Sequence, residues 1–535
     1  MASPPEDLMD LDDPMELHDP MNLDDITDLG DPMDLDPPFY PLSTLPLDCW
    51  ILILKNLSRA DLASVCRTSR ALFASSTPTL YRHVKINWTY PSLRAILSLL
   101  TVIRERPYLA VCVRDFEALP SRSHPPSRYG PFIHPTVRHR GSLCEFPETV
   151  AFAKDIISTA QFPSPEDWTN ALEAGDPHAF VTILITQLRN IRSLCLDYTF
   201  VCTDGWPGRM IKHALFSTDK LPRFPRLTYV EYGFNAPRPF AGVHSDNVAA
   251  MYPSGNQEQF SGWFYLSSLQ SLNIWLQSTD GILPETEGFS TNPAVNTPRL
   301  KSLLLVHVPM NQAKVGQLLS FAKSVDEIHL GLILNVRDDS PNASLDPFDQ
   351  SRDLLQGLVS LRNTLRHLSI ELAISTYPGG PPLADAWQAD LLGHFEGSLK
   401  QFDHLRSAEV PMVFLLGLDK GDAEMKAANL ARLLPRNLRQ LCLRDNSVTT
   451  KCHWSIPRMI SAVQHMVPYV PHATPWLEQI SLRSFCGLGG RFSRLHAYLA
   501  TESCMSVNRG IKFEVRNDAW SPGLWTDFRS LIRWL

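Results

Sequence analysis

The sequence predicts an α/β chain in which a small three-helix module is followed by an irregular solenoid, with parallel strands inside and helices outside. A short apolar pattern, L-x-x-L-x-L with substitutions, recurs nine times after residue 190, with helical patterns between the copies. Two short apolar helices meet at a tight turn within residues 45–84, and the first 38 residues form an acidic repeat. The chain therefore divides into an acidic tail at 1–39, a helical module at 40–85, a linker with first, irregular repeat units at 86–190, and a repeat array at 191–535.

Residues 7–36 are five hexapeptides, DLMDLD, DPMELH, DPMNLD, DITDLG and DPMDLD, each opened by Asp and each with Leu at its fifth position. Residues 1–38 hold 13 Asp and Glu and no Lys or Arg. Like charges repel along the segment and prolines at 14, 20 and 32 interrupt helix growth, so a disordered, extended tail is expected. Acidic segments with regularly spaced Met and Leu suit basic, apolar grooves; a solvated product of repeat expansion has the same composition. The rest of the chain keeps 43 acids against 49 bases, a net of +6 spread over nearly five hundred residues. That is a weak case for nucleic-acid binding, which concentrates basic charge on one face.

The module at 40–85 opens with Pro46, read as the first helical position, and Asp48 in the first turn, where it complements the helix dipole. A helix to about Asn56 carries two apolar stripes: Leu47, Trp50, Ile51, Leu54 and Leu57 form one, and Cys49, Leu52 and Ile53 much of another. One stripe serves the module, and the other asks for a partner. Ser58-Arg-Ala-Asp61 has capping-box spacing with Asp in place of Glu, and opens a second helix with Leu62, Val65, Cys66, Ser69, Leu72 and Phe73 at helical spacing. A third helical piece reaches Pro78, and Leu80, Tyr81 and Val84 lead into an extended segment.

Leu45-Pro46, Asp48, Trp50, Ile53, Leu57, Asp61-Leu62, Val65, Ser69-Arg70 and Leu80-Tyr81 resemble the F-box motif in its fungal form. The resemblance implies a three-helix module that docks a Skp-type adaptor, and through it a cullin, with Leu45, Pro46, Trp50, Ile53, Leu57, Leu62 and Val65 as the adaptor-binding residues.

In the linker, Ser92–Arg104 reads as a helix and Ala110–Leu119 as a strand through Val111, Val113 and Phe116. A loop from Pro120 to Pro147 carries Arg122, Arg128, Arg138 and Arg140 among Tyr129 and Phe132, a composition of long surface loops that nucleic-acid-contacting loops share.

The nine copies begin at Ile191, Leu227, Leu269, Leu300, Val325, Leu365, Leu405, Leu438 and Leu477. Helical patterns at Ala313–Ala322, Ser351–Leu361, Ala423–Leu434 and Pro457–Val467 separate several of them, and strands joined by helices should be parallel. The pattern resembles leucine-rich repeats; Leu438-Arg-Gln-Leu441-Cys-Leu443-Arg-Asp-Asn446 fits the full L-x-x-L-x-L-x-x-N core, and only this copy has the asparagine. The family implies leucines pointing into the core and their neighbours onto a concave face. An ordinary parallel α/β sheet is the competing fold, but its strands would be apolar on both faces. The neighbouring positions here include Ser193, Asp197, Tyr229, Glu231, Asn273, Trp275, His329, His367, Glu371, Glu409, Arg444 and Arg483. This mixed surface, acidic mid-array and basic near the end, suits a protein target. Trp275, beside a Pro/Gly-rich loop at Gln277–Pro298, is the expected anchor, with His329, Glu371, Glu409, Arg444 and Arg483 as further target-binding residues.

No phosphate loop, nucleophile elbow or zinc-helix motif occurs, and Cys452-His453 with His465 and His472 matches no metal-ligand spacing. The ten cysteines are scattered without a C-x-x-C, which fits free thiols in cytoplasm or nucleus, and the apolar run at Cys49–Leu54 is far short of the ~20 residues that cross a bilayer. No catalysis, cofactor, metal, nucleic acid or membrane is expected. The two resemblances together imply the substrate-recognition subunit of an SCF-type (Skp–cullin–F-box) ubiquitin ligase; a repeat scaffold working without a ligase is the alternative.

Overall fold

The computed structural model describes residues 45–89, 91–120, 140–236, 256–277, 282, 299–309, 312–336, 354–376, 398–416, 430–444, 454, 456–484 and 510–517. The acidic tail, most of the 120–147 loop, most of the 277–298 loop, Asn446 and the Cys452-His453 pair lie outside them. The described residues fall into two compact units. One is helical and draws on described residues within 45–84, 91–113 and 140–188; the other draws on those within 85–89, 114–120 and 189–517 and holds the sheet.

Among the described residues the sheet has twelve strands hydrogen-bonded in chain order. They are β1 (His83–Asn87), β2 (Asp115–Leu119), β3 (Ser193–Leu196), β4 (Tyr229–Tyr232), β5 (Ser271–Trp275), β6 (Ser302–Pro309), β7 (Glu327–Val336), β8 (His367–Thr376), β9 (Ser407–Pro411), β10 (Gln440–Arg444), β11 (Gln479–Ser484) and β12 (Lys512–Asn517). Every pairing from β2 to β12 is parallel. The nine copies of the apolar pattern are β3 to β11, arranged as a solenoid-like repeat.

Register explains why the pattern is L-x-x-L-x-L. Its second apolar position forms one continuous row, Leu194, Val230, Leu272, Leu303, Ile328, Leu368, Ala408, Leu441 and Ile480, and its third forms two paired rows, from Leu196 to Ile370 and from Val410 to Leu482. Both positions are buried, because side chains two apart on a strand share a face. The polar residue after the first apolar position has a backbone task. The carbonyls of Arg114, Arg192, Thr228, Gln270, Lys301, Asp326, Arg366, Arg406 and Arg439 each accept two N–H groups from the start of the next strand, as Lys301 does from Asp326 (2.9 Å) and Glu327 (3.0 Å). The two lone pairs of one carbonyl thus set each strand's register on the last.

The sheet starts before the recurrence read from sequence. Val113-Phe116-Ala118 and Tyr81-Val84-Ile86 have the same three-position spacing, but Ala and Tyr stand where Leu is usual. The strand expected over Ala110–Leu119 is a helix, Pro107–Cys112, followed by β2, since Pro107 supplies a helix start with its φ already set. At the other end β12 carries Phe513 and Val515 without a leading leucine.

In the helical unit α1 (Leu47–Lys55), α2 (Arg59–Cys66) and α3 (Arg70–Leu80) are followed by α4 (Leu93–Glu105), α5 (Pro107–Cys112), α6 (Arg140–Glu145), α7 (Pro147–Ala160), α8 (Pro165–Ala174) and α9 (Pro177–Gln187). Side-chain oxygens of Ser58, Ser69, Ser92 and Asp176 cap α2, α3, α4 and α9 by accepting otherwise orphaned backbone N–H groups. Pro46 sits one residue earlier than expected, as the residue flanking α1. Nine consecutive residues of α9, His178 to Thr186, are buried, so α9 is enclosed on all sides, as an all-round apolar helix must be.

One close approach fixes helix spacing in the sheet unit. A Cβ on Gly357, in the helical residues 354–359, would stand 2.3 Å from the carbonyl oxygen of Gly316 on the neighbouring helix Gln312–Phe321. Backbone cannot yield as a side chain can. Gly357→Ala should therefore destabilise the chain by about 1–3 kcal/mol, although alanine in an open helix stabilises by about 1 kcal/mol. A urea unfolding midpoint that falls bears this out, and one that rises contradicts it.

Candidate functional site

Helix α1 separates its two stripes in space. Leu54 is 1 % exposed and anchors the helix to the module, whereas Leu52 is 60 % and Ile53 39 % exposed, with Cys49 exposed beside them. Two large aliphatic side chains left in water forgo roughly 1.5–3 kcal/mol each of burial energy. Pro46 is exposed, and Leu45, Trp50, Leu57 and Val65 are half-buried. Leu62, expected on the docking surface, is instead buried, because α2 turns it inward to pack within the module. The turn between α1 and α2 is capped: the Ser58 hydroxyl accepts from Asp61 N–H (3.2 Å) and donates to the Asp61 carboxylate (2.7 Å).

Behind that turn lies a groove of 390 Å³ lined by Leu54, Lys55, Leu57, Arg59, Leu62, Thr79, Leu80, Arg82 and His83. Leucines line it and four basic residues edge it. These four escaped the sequence reading because three separate segments bring them together; their only signal is that Lys55, Arg59, Arg82 and His83 flank apolar positions at helix ends.

The three-helix unit is opened by Leu45-Pro46 and carries an exposed apolar face on its first helix. Residues 42–77 match the F-box domain. F-box domains bind Skp-type adaptors, and proteins that carry them are typically non-catalytic substrate receptors. No curated protein matches the chain. Outside the F-box, no helix among the described residues is long and apolar enough to cross a membrane, and no group of three or more His, Cys, Asp or Glu among them could hold a metal ion.

The residues expected to face a target are placed differently from the reading. Trp275 is 5 % exposed, so it is not an exposed anchor. Gly233 (φ +71°) packs beside it: a Cβ there would meet Val201 Cγ2 at 2.7 Å and the Trp275 Cβ at 3.3 Å, so Val201 and Trp275 together close the space that glycine leaves. Its ring centroid is 6.2 Å from that of Tyr198. His329, Glu409, Arg444 and Arg483 are also buried, with Glu371 half-buried. They form one charge network across five strands. Glu409 on β9 receives Arg444 Nε (2.6 Å) and Arg483 Nη1 (2.9 Å) on one oxygen and the Ser369 hydroxyl (3.2 Å) on the other. Arg444 Nη1 also reaches Glu371 (3.2 Å). Ser369 spends its proton on Glu409, so it accepts from His329 at 2.8 Å, which assigns the His329 proton to Nδ1. Parallel strands about 4.8 Å apart bring opposite charges on neighbouring strands into reach, and the charges turn to each other. Alternation by itself showed which face these residues occupy and gave no measure of their burial.

Burial acts to raise the Glu409 carboxyl, but Arg444, Arg483 and His329 outweigh it and hold it down at about 2. Burial likewise works to lower Arg444, and Glu409 with Glu371 more than reverses it. A carboxyl lowered on folding stabilises the fold above its ordinary value near 4.5, and that contribution is lost as pH falls through about 2. Arg444→Met, which strips Glu409 of its nearest cation, should cost about 3–5 kcal/mol at pH 7. The urea-midpoint gap between wild type and Glu409→Gln should be widest above pH 4.5 and shrink toward pH 2; a gap constant over that window contradicts the assignment.

Proposed function

We propose that the chain is the substrate-recognition subunit of an SCF-type ubiquitin ligase, with the F-box docking a Skp-type adaptor, a cullin joined through that adaptor, and an irregular leucine-rich-repeat-like array binding a protein target. The observation that carries the reading is the exposed Leu52–Ile53 face of α1 within a matched F-box, an apolar surface that the described module leaves uncovered. The receptor catalyses nothing. Holding a target on the array while the adaptor holds the F-box raises the effective concentration of target lysines near a ligase-bound ubiquitin donor. A cytoplasmic or nuclear setting goes with the free thiols of Cys49, Cys66, Cys112, Cys144, Cys195, Cys202 and Cys442.

Ile53→Asp places a charge on this face while Leu54 still anchors α1, so the thermal transition should be unchanged. If the face docks an adaptor, the buried charge costs several kcal/mol, and a loss of ~4 kcal/mol weakens binding about a thousandfold. Copurification of a Skp-type adaptor with wild type but not with Ile53→Asp is the expected result. Wild type that captures no such adaptor refutes the receptor reading and favours a scaffold without a ligase.

A further inference from the structure

We infer that the groove behind the α1–α2 turn is an intramolecular docking site for the acidic hexapeptides of the chain's own N-terminus. It does not depend on adaptor binding, although Leu57 and Leu62, which line the groove, are among the residues expected to touch the adaptor. The groove is apolar within and cationic at its edge. Leu54 and Leu62 are buried in it, Leu57 and Leu80 are half-buried, and Lys55, Arg59 and His83 are exposed with Arg82 half-buried. No acid lines it, and Asp61, the one acid of α2, is engaged by the Ser58 hydroxyl. Among the described residues Lys55, Arg59 and Arg82 have no carboxylate partner, and Arg82 Nε is enclosed without a hydrogen-bond acceptor. Such a lining calls for a ligand with acceptor oxygens around a small apolar centre.

The hexapeptides have that composition. Four of the five place Met third and Leu fifth, as in Met9–Leu11, Met15–Leu17, Met21–Leu23 and Met33–Leu35. In an extended chain, residues two apart point to the same side, so each pair would offer two apolar side chains together, with acidic residues around them. A volume of 390 Å³ lies in the range of about 300–1,000 Å³ that holds small ligands, enough for two such side chains. The whole 1–38 segment brings 13 acids and no Lys or Arg to a basic rim.

The tether makes weak affinity sufficient. Residues 37–44 separate the last hexapeptide from Leu45. As a coil they reach roughly 15 Å, and as a proline-rich extended chain roughly 25 Å. From Leu45 the groove lies along α1, whose nine residues span about 13 Å. A short tether gives an effective concentration in the millimolar range, so a hexapeptide with a Kd of about 1 mM would occupy the groove a large part of the time, and five copies compete for it.

The unmodified full chain permits a direct test, because Lys55 on the rim is an amine and the tail is rich in carboxylates. Carbodiimide coupling at micromolar protein, mapped by mass spectrometry, should join Lys55 to residues 7–36 in the monomer, at least tenfold more than it joins the exposed Lys400 or Lys512 to them. Two variants divide charge from fit. Arg59→Glu, at an exposed position, should lower the Lys55 yield severalfold. Replacing Leu11, Leu17, Leu23, Leu29 and Leu35 by Ser keeps every charge and cannot unfold the module; it should also lower the yield at least fivefold. Unchanged yield with the serine tail would mean charge attraction alone and overturn docking in the groove. Links confined to covalent dimers would assign the groove to a second copy, and an absence of tail links on Lys55 would likewise overturn the proposal.

Discussion

The backbone carbonyl that takes two N–H groups from the next unit is the constraint on which the sheet depends. It occurs at nine successive positions from Arg114 to Arg439. Each such bond fixes where the following strand begins, and only then do the two leucine rows fall into line. With register set, a side chain at the second or third apolar position meets its counterparts on both neighbours, and the spacing of 25 to 42 residues between copies no longer matters to the core. Variable segments leave the ladder at one unit and return to the same carbonyl geometry at the next. The residues that provide the carbonyl are all polar, and most are exposed, because the task belongs to the backbone and leaves the side chain in water.

How much of this was legible in the sequence follows from which interactions are local. Ser58 and the stripe that includes Leu54 announce the first two F-box helices, since caps and helical periodicity act within a few residues. The nine strands are legible for the same reason. Ser69, Leu72 and Phe73 read as the continuation of the second helix, but α2 ends at Cys66 and Ser69 caps α3. What escaped depends on distant residues. Leu62 fits the docking stripe by spacing, but its burial is set by how α2 packs within the module. Trp275 looks like an exposed anchor until Gly233, some forty residues earlier, is seen to lie beside it. Glu409, Arg444 and Arg483 read as a mixed binding surface because each charge is isolated along the chain, and only the strand register reveals that they neutralise one another.

The F-box places opposing demands on one short helix. With nine residues, α1 spans about two and a half turns, too few to bury two faces within so small a module. Leu54 secures it from inside, and Leu52 and Ile53 remain as surface that the described module does not use. The groove on the far side of the α1–α2 turn has the reverse character, charged at its edge and apolar within. One helix thus contributes to two surfaces of different chemistry.

Glu409 also changes how the repeats share stability. In a repeat array each unit ordinarily feels only its immediate neighbours, and the total is a sum of unit and interface energies. A carboxylate on β9 that holds guanidiniums on both β10 and β11, with Ser369 on β8 and His329 on β7 attached through it, links units that do not touch through the ladder. Fraying from the C-terminal side therefore cannot proceed one unit at a time through this region: releasing β11 leaves Glu409 short of a cation and weakens β10 and β9 together. The charge network thus ties β7 to β11 into one block set into an otherwise nearest-neighbour chain.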